Sequence, residues 1–133
     1  MPPRQTLAWS PPNKRHRGEF IYLASPYSHP DPKVRQVRHE LVCGKAAELM
    51  LEGYVVFCPI AHTAPIEQYG PPEILKKDGD FWLRQDFAIL DMCDAVVVYK
   101  LPGWDKSYGV KEEVSRAQRQ GQPVRYVEDD TNG

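Results

Sequence analysis

Two adjacent carboxylates stand out in the segment GWDKSYGVKEEV, residues 103–114. A carboxylate that is ionised yet partly desolvated, at the edge of a ligand crevice, is what attack on a sugar anomeric carbon requires. Glu112 and Glu113 follow an apolar run, AVVVYKL, and a polar loop. Val110, Val114 and Ala117 recur at four- and three-residue spacing, which marks the packed face of a helix. Glu113 falls on that face. Glu112 lies about 100° round the helix. It stands four residues before Arg116, the favourable order for a surface ion pair, so a surface pair is its expected role. Glu113 has two readings. It is either a site carboxylate or the partner of a base such as Lys111 or Arg84 at the sheet edge. Partial burial would raise its pKa, while the helix N-terminus and donors such as Ser107 would lower it.

Asp86 repeats the pattern. It stands between Leu83 and Leu90 and beside Phe87. An acid on an apolar helix face caps something or serves a site. Asp94 reads as a turn or cap residue and Asp91 as a solvated one. His62 is a candidate contact for a base or phosphate, with a structural role as its alternative. Trp104, Tyr27 and Tyr69 are candidate stacking rings, each with packing as its alternative. The four histidines and three cysteines lack metal-ligand or disulfide spacing, so no metal and no cofactor is expected.

The elements that must position these groups alternate. A strand over Phe20–Ala24 is followed by a helix with Asp31 as N-cap, Pro32 at its first position and Gly53 at its stop. Val34, Val37, Leu41, Ala46, Leu49 and Met50 mark its packed stripe. YVVFCPI, apolar on both faces, reads as a covered parallel strand. AHTAPIEQYGPPEILKKDGD, with three prolines, reads as a long functional loop with one helical turn near Pro72–Lys76. DFWLRQDFAILDMCD is helical, AVVVYKL a strand, GVKEEVSRAQRQG a helix and QPVRYVE a last strand. The order predicts a single-domain α/β fold, a doubly wound, Rossmann- or flavodoxin-like parallel sheet of four to five strands with helices on both faces. Ligands of such sheets bind beyond the carboxyl ends of the strands, where strand order reverses.

The chain has 133 residues and a net charge of -1, so bulk electrostatics favours neither nucleic acid nor membrane. No run approaches the roughly 18 apolar residues of a membrane span. A cytoplasmic protein with reduced thiols is expected. Residues 1–18 form a basic, Pro-rich extension carrying Arg4, Lys14, Arg15 and Arg17. The domain is expected over 19–128, with an acidic tail over 129–133.

YLASPYS, QDFAILDMCDAVVV, and SYGVKEEVSRA followed by GQPV together resemble the nucleoside 2-deoxyribosyltransferase-like superfamily. Its members include deoxyribosyltransferases and 2'-deoxynucleoside 5'-monophosphate N-glycosidases, and the small proteins near the latter are the most similar. The resemblance spans nearly all of Phe20 to Val127. It implies cleavage of the N-glycosidic bond of a (deoxy)ribonucleoside or its 5'-monophosphate, by hydrolysis or base exchange, in a homo-oligomer, a dimer or higher. It implies Glu113 as nucleophile, with Gly109 opening the motif, Asp86 handling the base or its leaving proton, and Tyr22 orienting the nucleophile. Ser107 matches a position that is Asp in the transferases and Ser in the glycosidases, where it contacts phosphate. The stretch after the first strand departs from the glycosidase pattern. Pro26 replaces a serine and Ser28 stands where an arginine would serve the phosphate, leaving Ser25, Ser28 and His29 as candidates. Ser115 occupies the position of a family glycine. The alternative to an enzyme is a non-catalytic nucleotide-binding sensor of the same fold.

Overall fold

The computed structural model describes residues 18–130. The basic extension lies outside them apart from Gly18, as do residues 131–133. Strand β1 (Phe20–Ala24) leads into α1 (Pro32–Leu51), whose start is fixed by the Asp31 side chain accepting from the Lys33 N–H at 2.9 Å. Then come β2 (Val55–Phe57), α2 (Pro59–Tyr69), a 3-10 turn (Pro72–Lys76) and α3 (Gly79–Leu90). Strand β3 (Ala95–Lys100), a 3-10 turn (Trp104–Lys106), α4 (Tyr108–Arg119) and β4 (Val124–Glu128) complete the order.

The four strands form one all-parallel sheet in the order β2-β1-β3-β4. The architecture is α/β and Rossmann- or flavodoxin-like. Each face of the sheet is covered, so the central strands β1 and β3 bury both sets of their alternating side chains, while the edge strands β2 and β4 stay partly exposed. Ile21, Leu23, Val97 and Tyr99 pack with Val42, Ala46 and Leu49 of α1. Tyr22, Ala24, Val96 and Val98 pack with Leu90 of α3 and with Val110 and Ala117 of α4. This alternation decides that Tyr22 faces α4 rather than α1.

Four expectations are corrected. The second strand is three residues long, because Pro59 starts α2 at once. The segment after it is mostly helix, with Pro65 inside α2, and only Pro72–Lys76 matches the expected turn. On α1 the buried residues are Val42, Lys45, Ala46 and Leu49, whereas Val37 and Met50 are about half exposed. Finally, Asp91 is exposed, as expected, but it takes Arg116 in a bidentate pair, at 2.7 Å to each oxygen, so Arg116 is not the partner of Glu112. Asp94 behaves as a cap, accepting the Phe20 N–H at 2.7 Å. The first acidic-tail residues dock: the Tyr99 hydroxyl donates to Asp129, and Lys45 lies 3.7 Å from Asp130. Among the described residues no helix is long and apolar enough to cross a membrane.

Candidate active site

The chain passes from β1 to β2 on one side, then returns across β1 to β3. Strand order therefore reverses between β1 and β3, and a crevice opens beyond their carboxyl ends. A cavity of about 760 Å³ lies there. Glycine is required at one of its corners. Gly103 has φ +93°, and a Cβ there would stand 2.9 Å from Arg38 Nη2. That arginine ties the two rims together, donating to Ser28 O at 2.9 Å and to Pro102 O at 3.1 Å.

Glu113 lines the cavity and is only 5% exposed. Helix α4 carries it there. The Ser107 hydroxyl accepts from the Val110 N–H at 3.2 Å and fixes the first turn, while Val110 and Ala117 anchor the same face in the core. The Tyr22 hydroxyl donates to Glu113 Oε2. Among the described residues no basic side chain pairs with this carboxylate; Lys111 and Arg84 are exposed. Burial pushes the Glu113 carboxyl up to about 8; the Tyr22 hydrogen bond pulls it down and the nearby Asp86 charge raises it further. Burial also pushes Asp86 up, to about 6. Tyr22 is held well above the usual phenol range, by burial first and then by Glu113 and Asp86, so it remains a donor.

Two carboxyl groups with separated pKa values thus face one cavity, and a phenol buried behind them points at one. Such a set can present a nucleophile and an acid to a bound molecule. Ser25, Tyr27, Ser28, Ser107 and Gly109 line the same cavity. Ser25 Oγ is buried and has no hydrogen-bond partner among the described residues. His62 and Trp104 are placed differently. His62 packs on Phe57, its ring centroid 5.8 Å away, and Trp104 on Tyr126 at 5.6 Å. Neither lines the cavity, and Tyr69 is 82% exposed outside it. Sequence reasoning passed over Arg35, Arg38 and Trp82, which do line it. Trp82 had a usable signal, since it stands four residues before Asp86 on the same helix face. Among the described residues no cluster of His, Cys, Asp and Glu has metal-holding geometry.

The buried carboxyl has a measurable consequence for stability. Glu113 ionises at about 8 in the folded chain against an ordinary 4.5. The folded state therefore holds the proton more tightly than the unfolded state. This contribution is complete below pH 4.5 and is lost as pH rises to 8. Over that window it amounts to something on the order of 5 kcal/mol. Glu113→Gln keeps the acceptor for Tyr22 without the titration. Thermal melts at pH 5 and pH 9 should show wild type losing more stability between the two than the variant, with the variant more stable at pH 9. Parallel losses would refute the burial of a titrating carboxyl here.

With the fold and geometry defined, comparison with known proteins places the chain. Residues 19–129 match the family described as Domain of unknown function (DUF1937), and the chain belongs to that family. No curated protein matches it.

Proposed function

We propose that this chain cleaves the N-glycosidic bond of a (deoxy)ribonucleoside or its 5'-monophosphate. The observation that carries the reading is Glu113, a buried carboxyl group held by the Tyr22 hydroxyl at a cavity wall that it shares with Asp86. The resemblance of the SYGVKEEVSRA block to the deoxyribosyltransferase-like motif supports the same assignment.

Glu113 attacks the anomeric carbon, and the bond to the base nitrogen breaks with its electron pair leaving on the base. Asp86 supplies the proton that neutralises the departing base. A glycosyl-enzyme ester results, and water or a second base resolves it. The transition state resembles an oxocarbenium ion, so the fixed negative charge of Glu113 lowers its energy. Base release from a nucleoside and nucleotide panel, followed by mass spectrometry, tests the proposal. No released base from any member would end it.

Tyr22 acts through Glu113 and is a positioning residue. Its hydrogen bond is the influence that favours ionised Glu113. Tyr22→Phe should lower kcat by roughly 10- to 100-fold, the worth of a hydrogen bond to a charged group. It should also move upward the descending limb of the pH profile, which Glu113 sets near pH 8. An unmoved limb would mean that Tyr22 is only packing.

A non-catalytic nucleotide-binding reading draws on one specific observation. A carboxyl that titrates at about 8 is mostly neutral at pH 7, where it can donate a hydrogen bond to a ligand. Saturable nucleotide binding with no turnover by wild type would favour it.

A further inference from the structure

We propose that Trp82 is the platform on which the base of the substrate stacks, with Asp86 at the edge of the same base. The inference deepens the proposed reaction and rests on it for the role of Asp86. Its own evidence is the placement of the rings around the cavity and the division of the cavity walls.

Trp82 and Asp86 stand four residues apart on α3, so their side chains are neighbours on one face. Side chains on a helix lean toward its N-terminus, so Asp86 reaches back over the turn that carries Trp82. Both line the cavity. An acid that protonates a departing base must meet a nitrogen at the edge of that base. A planar base whose edge meets Asp86 therefore extends over the neighbouring indole.

Besides His29, three aromatic residues line the cavity, and two of them are engaged elsewhere. The Tyr27 hydroxyl is shared by Arg35 and Glu67, on the side of α1 and α2. The Tyr108 hydroxyl donates to Asp80 at 2.7 Å, and that residue is 55% exposed at the rim. Trp82 is partly buried, and the Phe81 ring meets it at right angles with centroids 5.1 Å apart. An edge contact of that kind takes at most one face of the indole. Among the described residues no other ring and no cation lies on it. The cavity wall thus holds an indole face without an aromatic or cationic partner, and a base is the planar π system that suits it.

The walls divide the same way. Leu75, Trp82 and Leu83 make the side next to Asp86 apolar, whereas Arg35, Arg38 and Glu67 put charge on the side of α1 and α2. The two charges at the α3 rim are occupied. Lys77 lies over the Phe81 ring at 5.3 Å, and Asp78 caps the helix, accepting the Phe81 N–H at 3.0 Å. A nucleoside has one flat aromatic half and one hydroxylated half. The base suits the α3 wall, and the sugar with any phosphate suits the charged one.

Ligand binding by the full chain carrying Glu113→Gln tests this without turnover. The probes are dAMP, dCMP, AMP and deoxyadenosine, with 2-deoxyribose 5-phosphate as the control that has no base. Adding Trp82→Leu keeps apolar volume but removes the ring. It should weaken the base-bearing probes by about tenfold, the scale of one base–aromatic stack, and leave the sugar phosphate nearly unchanged. Trp82→Phe should restore most of the affinity. Binding of a base-bearing probe should quench tryptophan emission, and the quench should vanish in Trp82→Phe, where Trp9 and Trp104 remain. Full affinity in Trp82→Leu, equal weakening of the sugar phosphate, or a quench that survives Trp82→Phe would overturn the inference. The Glu113 reading would then stand or fall separately, on base release by wild type. Binding of none of the base-bearing probes would overturn both.

Discussion

Glu113→Ala and Glu113→Gln should each reduce base release by roughly a factor of 10⁴ or more, the scale on which enzymes lose activity with their nucleophile. Ligand affinity should change by only a few-fold. The two effects separate because the carboxylate contributes at the anomeric carbon, while Ser25, Ser107, Arg35 and Arg38 supply the remaining contacts around the cavity. Glu113→Gln is the sharper variant. It preserves shape and keeps an acceptor for the Tyr22 hydroxyl, so packing stays intact while the nucleophile is gone. Incubating wild type with substrate and quenching in acid should trap a glycosyl ester on Glu113, visible as a mass increment on its peptide. Activity of Glu113→Gln within tenfold of wild type would sink the nucleophile assignment, whatever the fate of the binding site.

The placement of Glu113 could be read before any fold was known, because helical periodicity is a local property. Val110 and Ala117 define the face, and Glu113 must share it. The start of α1 was legible for the same reason, since Asp31 and Pro32 are a local stop and start signal. What failed was non-local. Glu112 stands at ideal spacing for Arg116, but the fold brings Asp91 from the end of α3 against that guanidinium, and a bidentate pair wins. Helix α2 was read as loop because Pro65 breaks the backbone ladder. Packing against α1 and the sheet outweighs that penalty, and no local pattern announces it. The arginines show the limit most clearly. Arg35 and Arg38 look like ordinary solvated charges on an exposed helix face. Only the return of the chain through β3 puts Pro102 and Gly103 across from Arg38 and turns both cations into cavity wall.

Asp86→Asn should lower kcat by about 10² to 10⁴, the usual contribution of a general acid. It should also change the shape of the pH profile. The sign follows from the two carboxyl groups. Glu113 must be ionised to attack and titrates at about 8; Asp86 must be protonated to donate and titrates at about 6. Between those values the predominant form has the proton on Glu113, whereas the productive form has it on Asp86. Both carry the same single charge, so their ratio is fixed and the pair titrates as a unit. Wild type should therefore show a bell with limbs near pH 6 and pH 8 and its maximum near 7. With these values the productive form is only about one part in a hundred at the maximum. In Asp86→Asn the descending requirement disappears, because no acid remains to lose its proton. The neighbouring negative charge that raises Glu113 disappears with it. The variant should show one ascending limb, displaced below that expected from Glu113 in wild type, and a plateau at alkaline pH. Substrates whose base leaves without a proton, such as those already cationic at the glycosidic nitrogen, should be cleaved by Asp86→Asn nearly as fast as by wild type. A bell that persists in the variant would show that another group supplies the proton, and equal losses on protonated and cationic leaving groups would show that Asp86 positions the base rather than protonates it.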